Sequence, residues 1–108
     1  MPSELIALVS CPQNLADSLA GSLVEKKVAA CVNIVKEVTS VYRWEGNIEK
    51  DPESLLIIKT NSAVWARFQQ AVEELHPYEV PEIIAVPIEV GNQAYLNWLN
   101  QSVTTENN

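Results

Sequence analysis

The sequence predicts an α+β domain of the split βαβ plan, with one antiparallel sheet, both main helices on one of its faces, and an extra helix at the C-terminal end. Three observations carry this. Apolar or β-branched runs and two helix-period segments follow one another in the order strand, helix, strand, strand, helix, strand. A short turn signal, Glu45-Gly46-Asn47, joins the second and third strands directly. No linker, internal repeat or low-complexity tract divides the 108 residues, so residues 1–108 are expected to form one domain.

Each element has a local rationale. Leu5 to Val9 is an apolar run closed by Ser10-Cys11-Pro12, the pattern of a buried strand. Asn14 is a candidate helix N-cap and Asp17 suits the first turn. Leu15, Leu19, Leu23 and Val24 then share a face at helical spacing, and Lys26 and Lys27 suit the C-terminal end. From Ala30 to Trp44 the chain is rich in β-branched residues, with Val32, Ile34, Val38, Tyr42 and Trp44 on one parity and a bulge expected near Lys36-Glu37. Ile48 to Thr60 returns as the third strand, Asp51-Pro52 marking an edge or a bulge. Asn61 or Ser62 can cap a second helix whose core stripe is Val64, Trp65, Phe68, Ala71, Val72 and Leu75. Ile83 to Val90 is the fourth strand, and Gly91-Asn92 leads into a third helix with Tyr95, Trp98 and Leu99 on one side. The tail from Thr104 to Asn108 is expected to fray.

One feature does not suit a solitary chain. Leu55 to Ile58 and Ile83 to Val86 are apolar at both parities, whereas a sheet covered by helices on one face should be polar on the other. No sequence is left to cover that second face, so a further copy of the chain is the economical cover and a homo-oligomer is expected.

Charge and composition narrow the partners. Fourteen acidic against seven basic residues give a net charge of −7, which repels phosphate backbones and anionic lipid, and none of the three glycines falls in a phosphate-cradling loop. Nucleic acid and membrane are therefore not expected as partners. The sequence has neither a cationic leader with an apolar segment nor an apolar run long enough to span a bilayer, and a cytoplasmic location is expected.

The chemistry is concentrated in His76-Pro77-Tyr78-Glu79-Val80-Pro81-Glu82, which holds the only histidine. Pro77 must stop the preceding helix, and Pro81 keeps the link extended. An imidazole, a phenol and two carboxylates on a stiff connector suit the wall of a binding site; the alternative is a connector that only fixes how helix meets strand. Because the first strand runs antiparallel to the fourth, the strand end at Cys11 should share an edge with this connector. A thiolate and an imidazole there suit copper or zinc, with Glu79 or Glu82 as further donors across a subunit boundary. Cys11 and Cys31 lack CxxC spacing and lie at opposite ends of parallel strands, which excludes a redox pair or zinc knuckle by pattern and disfavours a disulfide. Lys59 is either a fixed cation for an anionic ligand or a strand-end lysine with a solvated head. Tyr42 and Trp44 are core or interface aromatics, or touch a ligand. With one histidine and no assembled nucleophile, an enzyme is not expected.

Five stretches together, Ala30-Cys31-Val32-Asn33, Ser40-Val41-Tyr42-Arg43-Trp44-Glu45-Gly46, Ile58-Lys59-Thr60, the 76–82 connector and Tyr95-Leu96-Asn97-Trp98-Leu99, closely resemble the CutA family of divalent-cation tolerance proteins. The resemblance spans Leu5 to Val103. It implies a ferredoxin-like fold assembled as a tight homotrimer of PII-like architecture, with long hairpins pairing across subunits. It also implies a role in the response to divalent metal ions, with no cofactor required and copper or another divalent cation as the candidate ion bound. Carried over by position, His76 matches the second of two proposed copper-binding histidines, and Leu75 stands in place of the first. Cys11 lies close to the first-strand cysteine, and Cys31 matches the cysteine of the Ala-Cys-Val-Asn motif. Two functions follow. One is metal binding through His76, Cys11, Cys31 and Glu82. The other is a sensor holding a small polar molecule in an intersubunit cleft lined by Lys59, Trp44, Tyr42 and Tyr78.

Overall fold

The structure, a computed structural model, describes residues 3–104. Strands β1 (Glu4–Cys11), β2 (Cys31–Trp44), β3 (Asn47–Asn61) and β4 (Ile84–Pro87) form one sheet in the order β2-β3-β1-β4. Every neighbouring pair is antiparallel. Helices α1 (Ala16–Glu25) and α2 (Trp65–Leu75) pack on one face, and α3 (Gln93–Ser102) closes the chain. The expected α+β plan is the observed one.

The main core lies between the sheet and the first two helices. Ala7, Val9 and Cys11 of β1 and Leu56 and Ile58 of β3 alternate along their strands, and meet Ala16, Leu19 and Leu23 of α1 and Phe68, Ala71 and Val72 of α2. Trp65 stacks on Phe68 with ring centroids 5.2 Å apart. A second cluster, Ala30, Val64, Leu99 and Val103 with Ile88, seats α3 against the end of the sheet.

Several local expectations change. Asn14 caps nothing: the chain enters α1 through a 3₁₀ turn, Gln13–Leu15, in which Leu15 N–H donates to the carbonyl of Pro12. At the other end Lys27 adopts φ 61°, Lys27 N–H donates to Val24 O (3.0 Å) and Val28 N–H to Leu23 O (3.2 Å). This is a Schellman stop with lysine where glycine is usual. Asn61 does cap the second helical segment, accepting from Val64 N–H. Leu75 and Val24 stay partly exposed, because each lies at the end of its helix beyond the packed face. The fourth strand is half the expected length. Pro87 has no N–H to give, and after Ile88 N–H donates to Glu4 O the chain has passed the first residue of β1. Thr104 is tied by its N–H to Lys27 O, and Arg67 donates to the carbonyls of Lys26 and Thr104. Residues 105–108 of the tail expected to fray lie outside the described residues.

The β2–β3 hairpin runs well past the rest of the sheet. β1 ends opposite Ser54, so Asn47 to Glu53 of β3 have only β2 beside them, an arm about 20 Å long at ~3.3 Å per residue. Pro52 sits in this overhang, where no β1 bond is lost. The turn at its tip has positive φ at both central residues, Glu45 (49°) and Gly46 (84°), the conformation that suits strand twist in a two-residue hairpin.

The expected bulge is present, and it splits the single parity expected for β2. Val35 pairs with Leu55 but Val38 with Glu53, so three steps on β2 match two on β3. Glu37, at φ 60°, donates its N–H to Gln13 Oε1. Before the bulge Val32 and Ile34 face the helices; after it Val38, Ser40, Tyr42 and Trp44 share the opposite face with Glu53, Asp51 and Glu49. That opposite face also carries the cross-strand row Asn33, Ile57, Leu8 and Ile84. Ile84 and Val86 are each 54% exposed there.

Candidate functional site

Pro77 determines where the site begins. The residue before a proline is driven from helical to extended geometry, and His76 is accordingly the last residue bonded to α2 (N–H to Val72 O, 2.8 Å) at φ −87°, ψ 133°. That turn carries the imidazole inward to the end of β1, where it is 7% exposed. His76 Nδ1 accepts from Tyr78 N–H at 3.2 Å, so the ring proton resides on Nε2, which donates to Ser10 O at 2.7 Å. Both nitrogens are thereby engaged within the chain. Tyr78 sits edge-on to the imidazole, centroids 4.6 Å apart, and its hydroxyl donates to Glu53 Oε2 at 2.6 Å. Ser10 Oγ reaches Glu82 Oε1 at 3.4 Å.

These contacts clamp the connector against the base of the hairpin arm and leave a cleft of about 640 Å³ between them. Ser10, Tyr42, Trp44, Glu53, Tyr78 and Glu82 line it, together with Val80 and Pro81. Tyr42 donates its phenol to the carboxylate of Asp51. This bond, with burial and the nearby carboxylates, pushes the Tyr42 pKa up to about 12. Burial and then the bond to Glu53 push Tyr78 well above the ordinary phenol range. Both rings are therefore neutral at physiological pH.

The sequence-derived candidates divide among three places. Tyr42, Trp44, Tyr78 and Glu82 line the cleft, and His76 braces its floor from behind. Cys11 lies on the helix-facing side of β1, wholly buried beside Val9 and Leu56. Cys31 and Lys59 are paired at the opposite end of the β2–β3 ladder, five residues along β3 from Ser54, the partner of Cys11. There Lys59 Nζ donates to Asn33 Oδ1. Both thiols are free. Among the described residues no three His, Cys, Asp or Glu side chains converge as a metal-binding group. The sequence reading missed Glu53 and Asp51; the available signal was their shared parity with the half-buried Leu55 and Ile57.

Burial, and secondarily the charge of Glu53, raise the Cys11 pKa from 9.0 to about 11. The folded state thus holds this proton more tightly than the unfolded chain. Stability from this group is complete below pH 9 and is lost as pH rises toward 11. Denaturant midpoints measured between pH 8 and 11 should fall over that window, and Cys11→Ala should flatten the part of the fall due to the thiol.

The chain is similar to known proteins over most of its length. The family profile described as CutA1 divalent ion tolerance protein matches residues 5–102. A divalent-cation tolerance protein CutA from Thermus thermophilus is 45% identical over 92% of this chain and 97% of its own length. A mouse Protein CutA is 45% identical over 94% of this chain, which spans 58% of that longer protein. Among solved structures, the Cut A1 protein of Thermus thermophilus superposes with a TM-score of 0.91 at 44% identity, covering 94% of this chain and 99% of that one. A PII-like protein CutA from Nostoc sp. PCC 7120 gives 0.89 at 30% identity, covering 98% of this chain and 100% of that one.

Proposed function

This chain belongs to the CutA1 divalent ion tolerance family, and from that premise we propose that it serves the divalent-cation response as a non-enzymatic homotrimeric sensor, binding a small polar molecule in the cleft beside the 76–82 connector. The observation that carries this is the cleft itself, whose volume and mixed aromatic and polar lining are those of a small-molecule site. The donor set for a soft metal is, by contrast, divided between two faces of the sheet. The PII-like relative supports a trimer, as does the apolar row Ile57, Leu8 and Ile84 on the face without helices. Residues 1–108 act in this reading as one CutA-like domain. The two free thiols suit a reducing, cytoplasmic location; none of the described helices is long and apolar enough to cross a membrane.

A second reading, copper binding by His76, Cys11, Cys31 and Glu82, is favoured by one observation. His76 and Glu82 both bond to Ser10, through its carbonyl and its hydroxyl. A metal on His76 would have to displace Tyr78 N–H or the bond to Ser10, and would take its remaining donors across a subunit boundary.

Calorimetric titration of the reduced protein with copper and with zinc at neutral pH separates the two. The sensor reading expects weak, non-saturating heats that His76→Ala does not alter. Saturable binding at an integral ratio per trimer, abolished by His76→Ala and Cys11→Ala, would replace it with the metal reading.

A further inference from the structure

The cleft carries negative charge without an internal counter-charge. Glu53 lines it and is only 3% exposed, and while its Oε2 accepts the Tyr78 phenol, its Oε1 accepts no hydrogen bond from any described residue. Among the described residues the only buried side-chain polar atom without a partner is Ser54 Oγ, so Glu53 Oε1 keeps access to solvent and is open to a donor from a ligand. Glu79 and Glu82 at the rim add charge of the same sign, and no Lys, Arg or His is among the cleft-lining residues. The only nearby imidazole spends both nitrogens on backbone groups.

The rest of the lining is aromatic. Trp44, Tyr42 and Tyr78 are 40%, 41% and 40% exposed in the isolated chain, Tyr42 and Trp44 on the helix-free face that the proposed trimer would partly cover. Their π-faces attract cations, most strongly where water is displaced. Although Glu53, Glu79 and Glu82 border the cleft, no three His, Cys, Asp or Glu side chains among the described residues converge as a metal-binding group, and the volume far exceeds one ion. An anionic effector would face Glu53, Glu79 and Glu82 with no cationic side chain among the lining residues to offset them.

We propose that the cleft selects an organic ammonium ion, its N–H group donating to Glu53 Oε1 and its carbon skeleton resting against Trp44, Tyr42 and Tyr78. The inference rests on the cleft reading above and deepens it by fixing the sign of the ligand's charge. It also removes Lys59 from the ligand site, since that cation lies outside the cleft at the far end of the ladder.

Three isosteric probes test it: benzylamine, benzyl alcohol and benzoate, each titrated into the intact oligomer while the Trp44 indole resonance and the heat of binding are followed. Benzylamine should bind saturably, at least about ten-fold more tightly than the alcohol, with benzoate inert. Glu53→Gln, which keeps an acceptor for Tyr78, and Trp44→Ala should each cost at least about ten-fold, and Lys59→Ala should cost nothing. Should Glu53→Gln fail to fold, Glu82→Gln at the exposed rim should still weaken the amine. Benzoate binding as well as or better than benzylamine would overturn the charge assignment while leaving the cleft as a small-molecule site. Equal binding of amine and alcohol would do the same. No shift at Trp44 with any probe would overturn both.

Discussion

Ile84→Glu is expected to turn the assembly into a folded single chain of 12.0 kDa. Ile84 lies on the helix-free face, at the end of the row that continues through Leu8 to Ile57, and is more than half exposed in the isolated chain. A glutamate there meets water when the chain is alone, so its effect on the monomer's own fold should stay within about 0.5 kcal/mol. In a trimer the same carboxylate would be buried against apolar side chains three times over. Each copy forfeits about 1.5–3 kcal/mol of isoleucine burial and adds an uncompensated charge whose desolvation costs several kcal/mol more. The sum exceeds what an interface between small subunits can absorb. Light scattering coupled to gel filtration reads the mass, and circular dichroism confirms that the fold persists. An unchanged oligomer would show that this face is not the interface.

The second large effect is on the fold itself. Phe68 is completely buried between β1, β3 and α1, with Trp65 stacked on its ring. Phe68→Ala should cost about 3–5 kcal/mol, the loss of apolar transfer plus a cavity that strands on one side and a helix on the other cannot collapse to fill. Domains of this size have about 5–15 kcal/mol in total, so the variant should sit near the edge of unfolding at ambient temperature. Because subunit association stabilises only the folded chain, the denaturant midpoints of both proteins must be compared at one protein concentration. A loss below about 1 kcal/mol would mean that the core closes around the gap.

Most of the architecture was legible because period and punctuation agree. The apolar run Leu5 to Val9, the helical spacing of Leu15, Leu19 and Leu23, and the Asn61 cap are local signals that the tertiary structure reinforces. Errors arose where a partner decided the outcome. Ile88 to Val90 have strand-like side chains but run past the start of β1, and Leu75 keeps the helical spacing after the core has ended. Parity across β2 failed for another reason: sequence suggested a bulge but could not say that it would send Tyr42 and Trp44 to the face opposite Val32 and Ile34.

The site was half legible. Tyr78 and Glu82 stood out on the proline-bounded connector, and Tyr42 and Trp44 on the hairpin, although nothing local said that the two segments meet. Glu53 beside Pro52 looked like a solvated edge residue; only the overhang of β3 beyond β1, with Tyr78 folded over it, buries the carboxylate. Cys11 was correctly placed at the connector's edge of the sheet, yet the strand's alternation turns it into the core.

The extra residue at Lys36-Glu37 makes the arm half a period out of step with the strand from which it grows. Were one residue lost there, Ser40, Tyr42 and Trp44 would exchange addresses with Val41 and Arg43, and the cleft, which Val41 already borders, would receive a guanidinium and keep only the ring of Tyr78. The chemistry of the cleft is thus written as much in a residue count as in residue identity. A length change far from any ligand could retune or erase it while leaving every lining residue in the sequence.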